Sequence, residues 1–155
     1  MHEIRSKQKL PITLQQGWEF LSSPYNLKKI TPPYMGFDIL SGFDGEKMYP
    51  GMIINYIVRP LFGLPMNWTT EITHVVEPHY FVDEQRFGPY AFWHHKHFLK
   101  EIDGGVEMED IVHYKVPFGP VGKIVNALVV RKKIEEIFRY REKVLKEMFG
   151  EFPEK

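Results

Sequence analysis

Residues 92–116 read FWHHKHFLKEIDGGVEMEDIVHYKV, and this stretch decides the fold. On either side of the Gly104-Gly105 pair the side chains alternate with the two-residue period of a β-strand. A Gly-Gly dipeptide between two such runs predicts a hairpin with a two-residue turn, so strands 92–103 and 106–116 are expected to pair antiparallel. That turn pairs Asp103 with Val106. Counting back sets Leu99 opposite Asp110, His97 opposite Val112, His95 opposite Tyr114 and Trp93 opposite Val116. One face then carries Trp93, His95, His97, Leu99, Asp110, Val112 and Tyr114. The mixture is too apolar for a solvent face and suits a cavity wall with a few fixed polar groups. A slip of one residue would pair Phe98 with Asp110 and disperse the set.

Upstream, the same period marks strands at 37–41, 52–59, 67–77 and 81–87. Turn signals separate them at Asp44-Gly45, Pro60 through Pro65, Pro78 and Gly88-Pro89. Residues 2–10 alternate weakly and fit an edge strand. Between that strand and the next, Thr13 and Gln16 form a capping-box pattern ahead of Leu14, Trp18 and Leu21 at helical spacing. Ser23-Pro24 opens a second short helix that reaches about Ile30, where Pro32-Pro33 stops it.

Downstream of Pro117-Phe118-Gly119-Pro120 the period becomes helical. Val121, Ile124, Val125 and Leu128 start an apolar stripe that Ile134, Ile137, Phe138, Val144, Leu145 and Met148 are expected to continue. Glu135 with Arg139 and Glu142 with Lys146 are supporting pairs at i, i+4. This helix runs close to 30 residues, or roughly 45 Å. The expected fold is therefore α+β and single-domain over 1–155. A seven-stranded antiparallel sheet curves around a long C-terminal helix, with two short helices between strands 1 and 2. One helix laid across a curved sheet leaves part of the concave side unfilled, and that space becomes a pocket.

Composition narrows the function. The 155 residues carry 20 Lys+Arg against 20 Asp+Glu, a formal charge of zero that argues against nucleic acid as a partner. Cysteine is absent, which removes disulfides, thiolate metal sites and a cysteine nucleophile. No apolar run reaches the length of a membrane span, and charges at the N-terminus stand where a signal peptide needs an apolar core, so a cytoplasmic protein is expected. Aromatic residues make 15% of the chain, enough to fill a core or to line a hollow one.

Several pieces together resemble one superfamily. They are Ile30-Thr31-Pro32-Pro33-Tyr34, Trp68-Thr69-Thr70-Glu71-Ile72, Phe81-Val82-Asp83-Glu84-Gln85 with Gly88-Pro89-Tyr90, and Trp93-His94-His95-Lys96-His97-Phe98. Asp110-Ile111-Val112-His113-Tyr114, Pro117-Phe118-Gly119-Pro120 and Ile137-Phe138-Arg139-Tyr140-Arg141 complete the set. The chain resembles the SRPBCC superfamily of START-related, birch-pollen-allergen-type helix-grip proteins, in the uncharacterised bacterial branch that also occurs fused to nucleotide-sugar epimerase-like domains. The resemblance implies a small hydrophobic or amphipathic ligand in an internal cavity and an epimerase-like protein as a candidate partner; no cofactor is assigned. The wider superfamily ranges from lipid carriers to polyketide cyclases.

The candidate ligand-binding residues are Trp68, Thr70, Phe81, Asp83, Gln85, Trp93, His95, His97, Asp110, Tyr114 and Arg141. Trp68, Phe81, Trp93 and Tyr114 offer apolar contact; Asp83, Gln85, His95, His97 and Asp110 orient polar groups. Phe87 is expected on the same face as Asp83 and Gln85. The bland reading of the polar set is a hydrogen-bond network that holds neighbouring strands together. As catalysts, His95 or His97 with Asp110 would serve as a general acid/base in a cyclase- or dehydratase-like reaction. His95 and His97 at i, i+2 have metal-ligand spacing, with Asp83 or Asp110 as a third ligand, but satisfied cavity histidines are the preferred reading, and no metal is assigned. Arg141 breaks the apolar stripe; it either pairs inward with an acid or an anionic ligand head, or runs its stem along the core into water. Arg131-Lys132-Lys133 reads as a solvated face. Residues 119–123 lack the spacing of a phosphate loop. The apolar loop from Leu61 to Met66 is a flap, a partner surface or a buried turn. The structural alternative is an interaction domain whose cavity its own side chains fill.

Overall fold

The structure, a computed structural model, describes residues 1–45 and 47–154. Its seven strands are β1 (His2–Leu10), β2 (Asp38–Ser41), β3 (Met52–Val58), β4 (Met66–Val76), β5 (Tyr80–Phe87), β6 (Phe92–Ile102) and β7 (Gly105–Lys115). They form one antiparallel sheet in the order β1-β7-β6-β5-β4-β3-β2, which leaves β1 on an edge. Helices α1 (Leu14–Leu21) and α2 (Pro24–Lys29) connect β1 to β2, with a 3-10 turn at Pro33–Met35. Thr13 and Gln16 make the reciprocal capping box at the start of α1. At α2, Pro24 occupies the first turn as expected, but the Ser23 side chain makes no capping bond.

The hairpin register differs from the sequence reading by two residues. The turn is Asp103-Gly104, not Gly104-Gly105, so Ile102 pairs with Gly105, His97 with Asp110, His95 with Val112 and Trp93 with Tyr114. Gly104 holds φ +83°, the left-handed conformation a two-residue hairpin turn demands. Gly105 is the first residue of β7 instead; a Cβ there would stand 2.1 Å from the Leu10 carbonyl oxygen of β1. Because side chains repeat every two residues, a two-residue shift leaves each on its expected face.

Bulges between β4 and β5 reset which residues face inward. Thr69 pairs with Phe87 while Thr70 pairs with Gln85, so an extra residue sits in β5 between them. Phe87 is thereby turned out beside the outward Thr69 and is 74% exposed, against expectation.

The C-terminal helix is continuous over 119–149 in three parts: α3 (Gly119–Val125), a π-helical stretch Asn126–Val130, and α4 (Arg131–Phe149). Its buried side runs through Gly122, Asn126, Val130, Ile134, Arg141 and Leu145. The four-residue steps from Gly122 to Ile134 drift around an ordinary α-helix, and the wider π turn helps keep them in line. The stripe expected to face the core, Val121, Ile124, Val125 and Leu128, faces solvent instead. The cause is phase: Leu128 to Ile134 is six residues, which is not a helical repeat, so the two halves of that stripe lie on different sides.

Leu145 packs with Leu10, Trp18, Phe81, Leu99, Val106 and Met108 at one end of the sheet, and Val130 and Ile134 pack with Ile4, Val112 and Tyr114 at the other. Fully burying side chains of this size contributes about 1.5–3 kcal/mol each. The Gln8 amide donates to the Glu142 carbonyl at 2.9 Å and ties α4 to β1. A third cluster, around Met52, Ile54, Tyr56 and Trp68 on β3 and β4, has no apolar side chain of the long helix packed into it among the described residues. Helix and sheet meet at two ends, and the space between remains open. Among the described residues no helix is long and apolar enough to cross a membrane.

Candidate functional site

A cavity of about 440 Å³ occupies that space, within the range of small-molecule sites. Its lining is mostly apolar and aromatic, from α1 and α2, from β3 through β6 and from the long helix. Of the expected residues, Trp68, Thr70, Phe81, Asp83, Trp93, His95, His97 and Arg141 line it. Asp110 lies behind the wall, buried under the two imidazoles. Tyr114, fully buried, belongs to the core beneath the helix with Ile4, Val112 and Ile134. Gln85 is spent on the backbone: its amide donates to the Tyr90 carbonyl at 2.7 Å and its oxygen accepts from the Tyr90 N–H at 3.1 Å, bracing the turn between β5 and β6.

Pairing across β5, β6 and β7 assembles the polar wall. Phe81, His97 and Asp110 lie in one row, and Asp83, His95 and Val112 in the next. The side chains then bond along the diagonals of the sheet. His95 Nε2 lies 2.9 Å from Asp110 Oδ1, and His97 Nε2 lies 2.6 Å from Asp83 Oδ2. A carboxylate only accepts, so both nitrogens carry the proton. His97 Nδ1 sits 3.0 Å from the same Asp110 oxygen, a charge contact outside hydrogen-bonding geometry. Arg141 Nη1 donates to Asp110 Oδ1 at 3.1 Å, so of the two sequence readings the inward one holds.

Charge explains the titration of the cluster. Two carboxylates and one guanidinium leave one negative charge, which a single imidazolium neutralises. Burial opposes charge on His97, but its contacts with Asp110 and Asp83 outweigh that and raise its pKa. Burial, and then the neighbouring His97, lower the pKa of His95. Burial would raise both carboxyls. The bond from His97 and the nearby imidazoles hold Asp83 below its ordinary value, and Arg141 with the imidazoles holds Asp110 well below. His95 is thus the neutral imidazole, with Nε2–H given to Asp110 and the Nδ1 lone pair unprotonated. Phe81 stacks on the other face of His97 at 4.1 Å between centroids.

Asp83, His95 and His97 also offer three ligand atoms within 4.8 Å of one another. An ion there would have to part His97 from Asp83 and sit near the Arg141 guanidinium, so the set fits a hydrogen-bonded network better than a cation site.

Sequence reading missed several lining residues. Tyr56 on β3 is buried, its hydroxyl 3.3 Å from Thr70 Oγ1, which also accepts from Trp68 Nε1 at 3.2 Å. The inward alternation of Met52, Ile54, Tyr56 and Val58 was its signal. Ile137, Phe138 and Tyr90 also line the cavity.

No protein-family model and no curated protein sequence matches the chain. Solved structures do match. A protein from Chromobacterium violaceum aligns at TM-score 0.72 and 13% identity, covering 98% of this chain and 98% of that one. A protein from Thermus thermophilus aligns at TM-score 0.70 and 16% identity over 94% and 95%. Ara h 8.0201 aligns at TM-score 0.63 and 17% identity over 94% and 98%. At such identities the likeness concerns the fold. The chain has a helix-grip-like α+β fold.

Proposed function

We propose that the protein binds a small, largely apolar molecule in the cavity between sheet and helix, without chemical change, and that it belongs with the SRPBCC proteins its sequence resembles. The carrying observation is a cavity of about 440 Å³ with an aromatic lining and one polar wall. On that wall His95 and Asp83 line the cavity with His95 Nδ1 3.7 Å from Asp83 Oδ2, a polar pair to which a ligand hydroxyl, which donates once and accepts twice, can bond. Trp68, Phe81, Trp93 and Tyr56 supply the apolar contact; Thr70, Asp83, His95 and His97 orient the polar end; Asp110, Tyr114 and Gln85 support the wall from outside. A cytoplasmic location and an epimerase-like protein partner belong to the same reading.

Native mass spectrometry of freshly purified protein tests it: a retained small-molecule adduct, lost on denaturation, is expected. A protein that emerges bare, and that gains no adduct from a lipid-soluble cell extract, overturns the reading. The second reading is acid–base catalysis, favoured by His95 and Asp83 lining the cavity side by side, with His95 Nδ1 3.7 Å from Asp83 Oδ2. It requires the adduct to change mass on incubation, in the manner of a dehydration or cyclisation, and His95→Ala to stop that change.

A further inference from the structure

The first half of the long helix turns its apolar side outward. Val121, Ile124 and Leu128 are 62%, 61% and 65% exposed. Phe118 stands just before this helix, 80% exposed, and across the cavity mouth the loop between β3 and β4 presents Phe62 at 91% and Leu64 at 62%. Pro60 and Leu61 from that loop, and Phe118 and Val125 from the helix side, border the same cavity. Phe62 and Phe118 are also the only non-glycine residues with positive φ among those described, +54° and +72°. A bulky side chain is strained there, and neither is repaid by contacts within the fold. An apolar face of this size on the outside of a domain marks a docking surface.

Charge identifies the occupant. Residues 111–134 hold Lys115, Lys123, Arg131, Lys132 and Lys133 and no acidic residue, in a chain whose formal charge is zero. Arg131 and Lys132 follow Leu128 by three and four residues, so the exposed apolar stripe ends in cations on its own side of the helix. Glu135 and Glu136 pair with Arg131 and Lys133, while Lys115, Lys123 and Lys132 have no ion pair among the described residues. Two copies meeting on this face about a two-fold axis would bring like charges together. A bilayer bearing anionic headgroups accepts both the apolar side chains and the cations. We infer that the chain docks on anionic membranes through the mouth of its cavity, with Phe62, Leu64, Phe118, Val121, Ile124 and Leu128 entering the interface. Docking depends only on this outer face, and stands whether or not the cavity carries a ligand.

Flotation with vesicles of two parts phosphatidylcholine to one part phosphatidylglycerol tests it. The protein is expected to float with them, to bind at least tenfold more weakly to phosphatidylcholine alone, and to release as salt is raised. The double variant F62N/F118N removes both apolar tips and places at each positive φ a residue that tolerates it, so the fold is kept, as circular dichroism would check. Its vesicle binding is expected to fall at least tenfold; I124E/L128E, a change on the helix alone, is expected to do the same. Failure of the wild type to float with anionic vesicles overturns the inference, as does undiminished flotation of both variants. Sedimentation showing a dimer that I124E/L128E dissolves would give the face to a second copy and also overturn it.

Discussion

His95 and His97 stand with ring centroids 3.7 Å apart, His95 giving its Nε2–H to the buried Asp110 and His97 giving its own to the half-buried Asp83. At that separation only one of them is charged, and the surroundings choose His97. The two then act on stability with opposite sign. His97, with its pKa raised in the folded state, contributes stability that is fully present below about 6.5 and lost as pH rises through its folded value. His95, with its pKa lowered, contributes stability present above about 6.5 and lost as pH falls toward its folded value. In the wild type these slopes oppose each other. His95→Gln keeps the favoured imidazolium of His97 and loses the opposing group, so it is expected to become less stable as pH rises above neutrality, more steeply than the wild type. Urea unfolding across pH reads this, and a slope no steeper than that of the wild type would refute the assignment. In the wild type, acid then removes what the carboxylates contribute, as pH falls below about 4 through the depressed values of Asp83 and Asp110.

Arg141 and Asp110 form a buried ion pair, each side chain 7% exposed. Arg141→Met leaves two carboxylates facing one imidazolium and is expected to cost about 3–5 kcal/mol. Arg141→Met combined with Asp110→Asn removes a charge from both sides and is expected to recover part of that loss. A double-mutant cycle by chemical denaturation measures the coupling. Additive losses would mean that the two groups do not depend on each other.

Ile54 on β3 is 2% exposed yet borders the cavity, opposite Thr70 in the sheet. Ile54→Phe adds volume toward the hollow rather than into close-packed core. Binding of the fluorescent apolar probe ANS is expected to fall at least tenfold while the thermal midpoint holds or rises. In a filled interior the same change would overpack and cost about 1–3 kcal/mol. A clear drop in the midpoint would therefore mean that the space is occupied by the protein itself.

The order of elements was legible because each change of period in the chain is long and bounded by Gly or Pro. The polar wall was legible for a narrower reason: an error of two residues in the hairpin keeps the parity of β6 and β7, so His95, His97 and Asp110 stayed on one face although every partner was wrong. Phe87 failed because a bulge is a one-residue event and reverses parity, and nothing in its local sequence marks it. The early stripe of the long helix failed differently. Its periodicity was real, but periodicity tells that a face is apolar, not what covers it, and here the sheet takes Gly122, Asn126 and Val130 instead.

The hairpin error leads to a separate prediction about two adjacent glycines. Gly104 needs its freedom at φ +83° and has only the Phe152 ring within 4 Å of where a Cβ would be. Gly104→Ala is therefore a strain in the left-handed region alone, about 1–2 kcal/mol. Gly105 is in ordinary strand conformation, but its Cβ would meet the Leu10 carbonyl oxygen at 2.1 Å, and backbone cannot step aside as a side chain does. Gly105→Ala must push β1 away from the start of β7, breaking the Leu10–Val106 end of their pairing. It is expected to cost more than Gly104→Ala, by about 1 kcal/mol or more, and to raise amide exchange in β1. If the sequence reading of the turn were right, both residues would sit in the turn and alanine would be penalised alike at the two positions. Thermal unfolding of the two single variants, with hydrogen exchange on Leu10 and its neighbours, separates the registers.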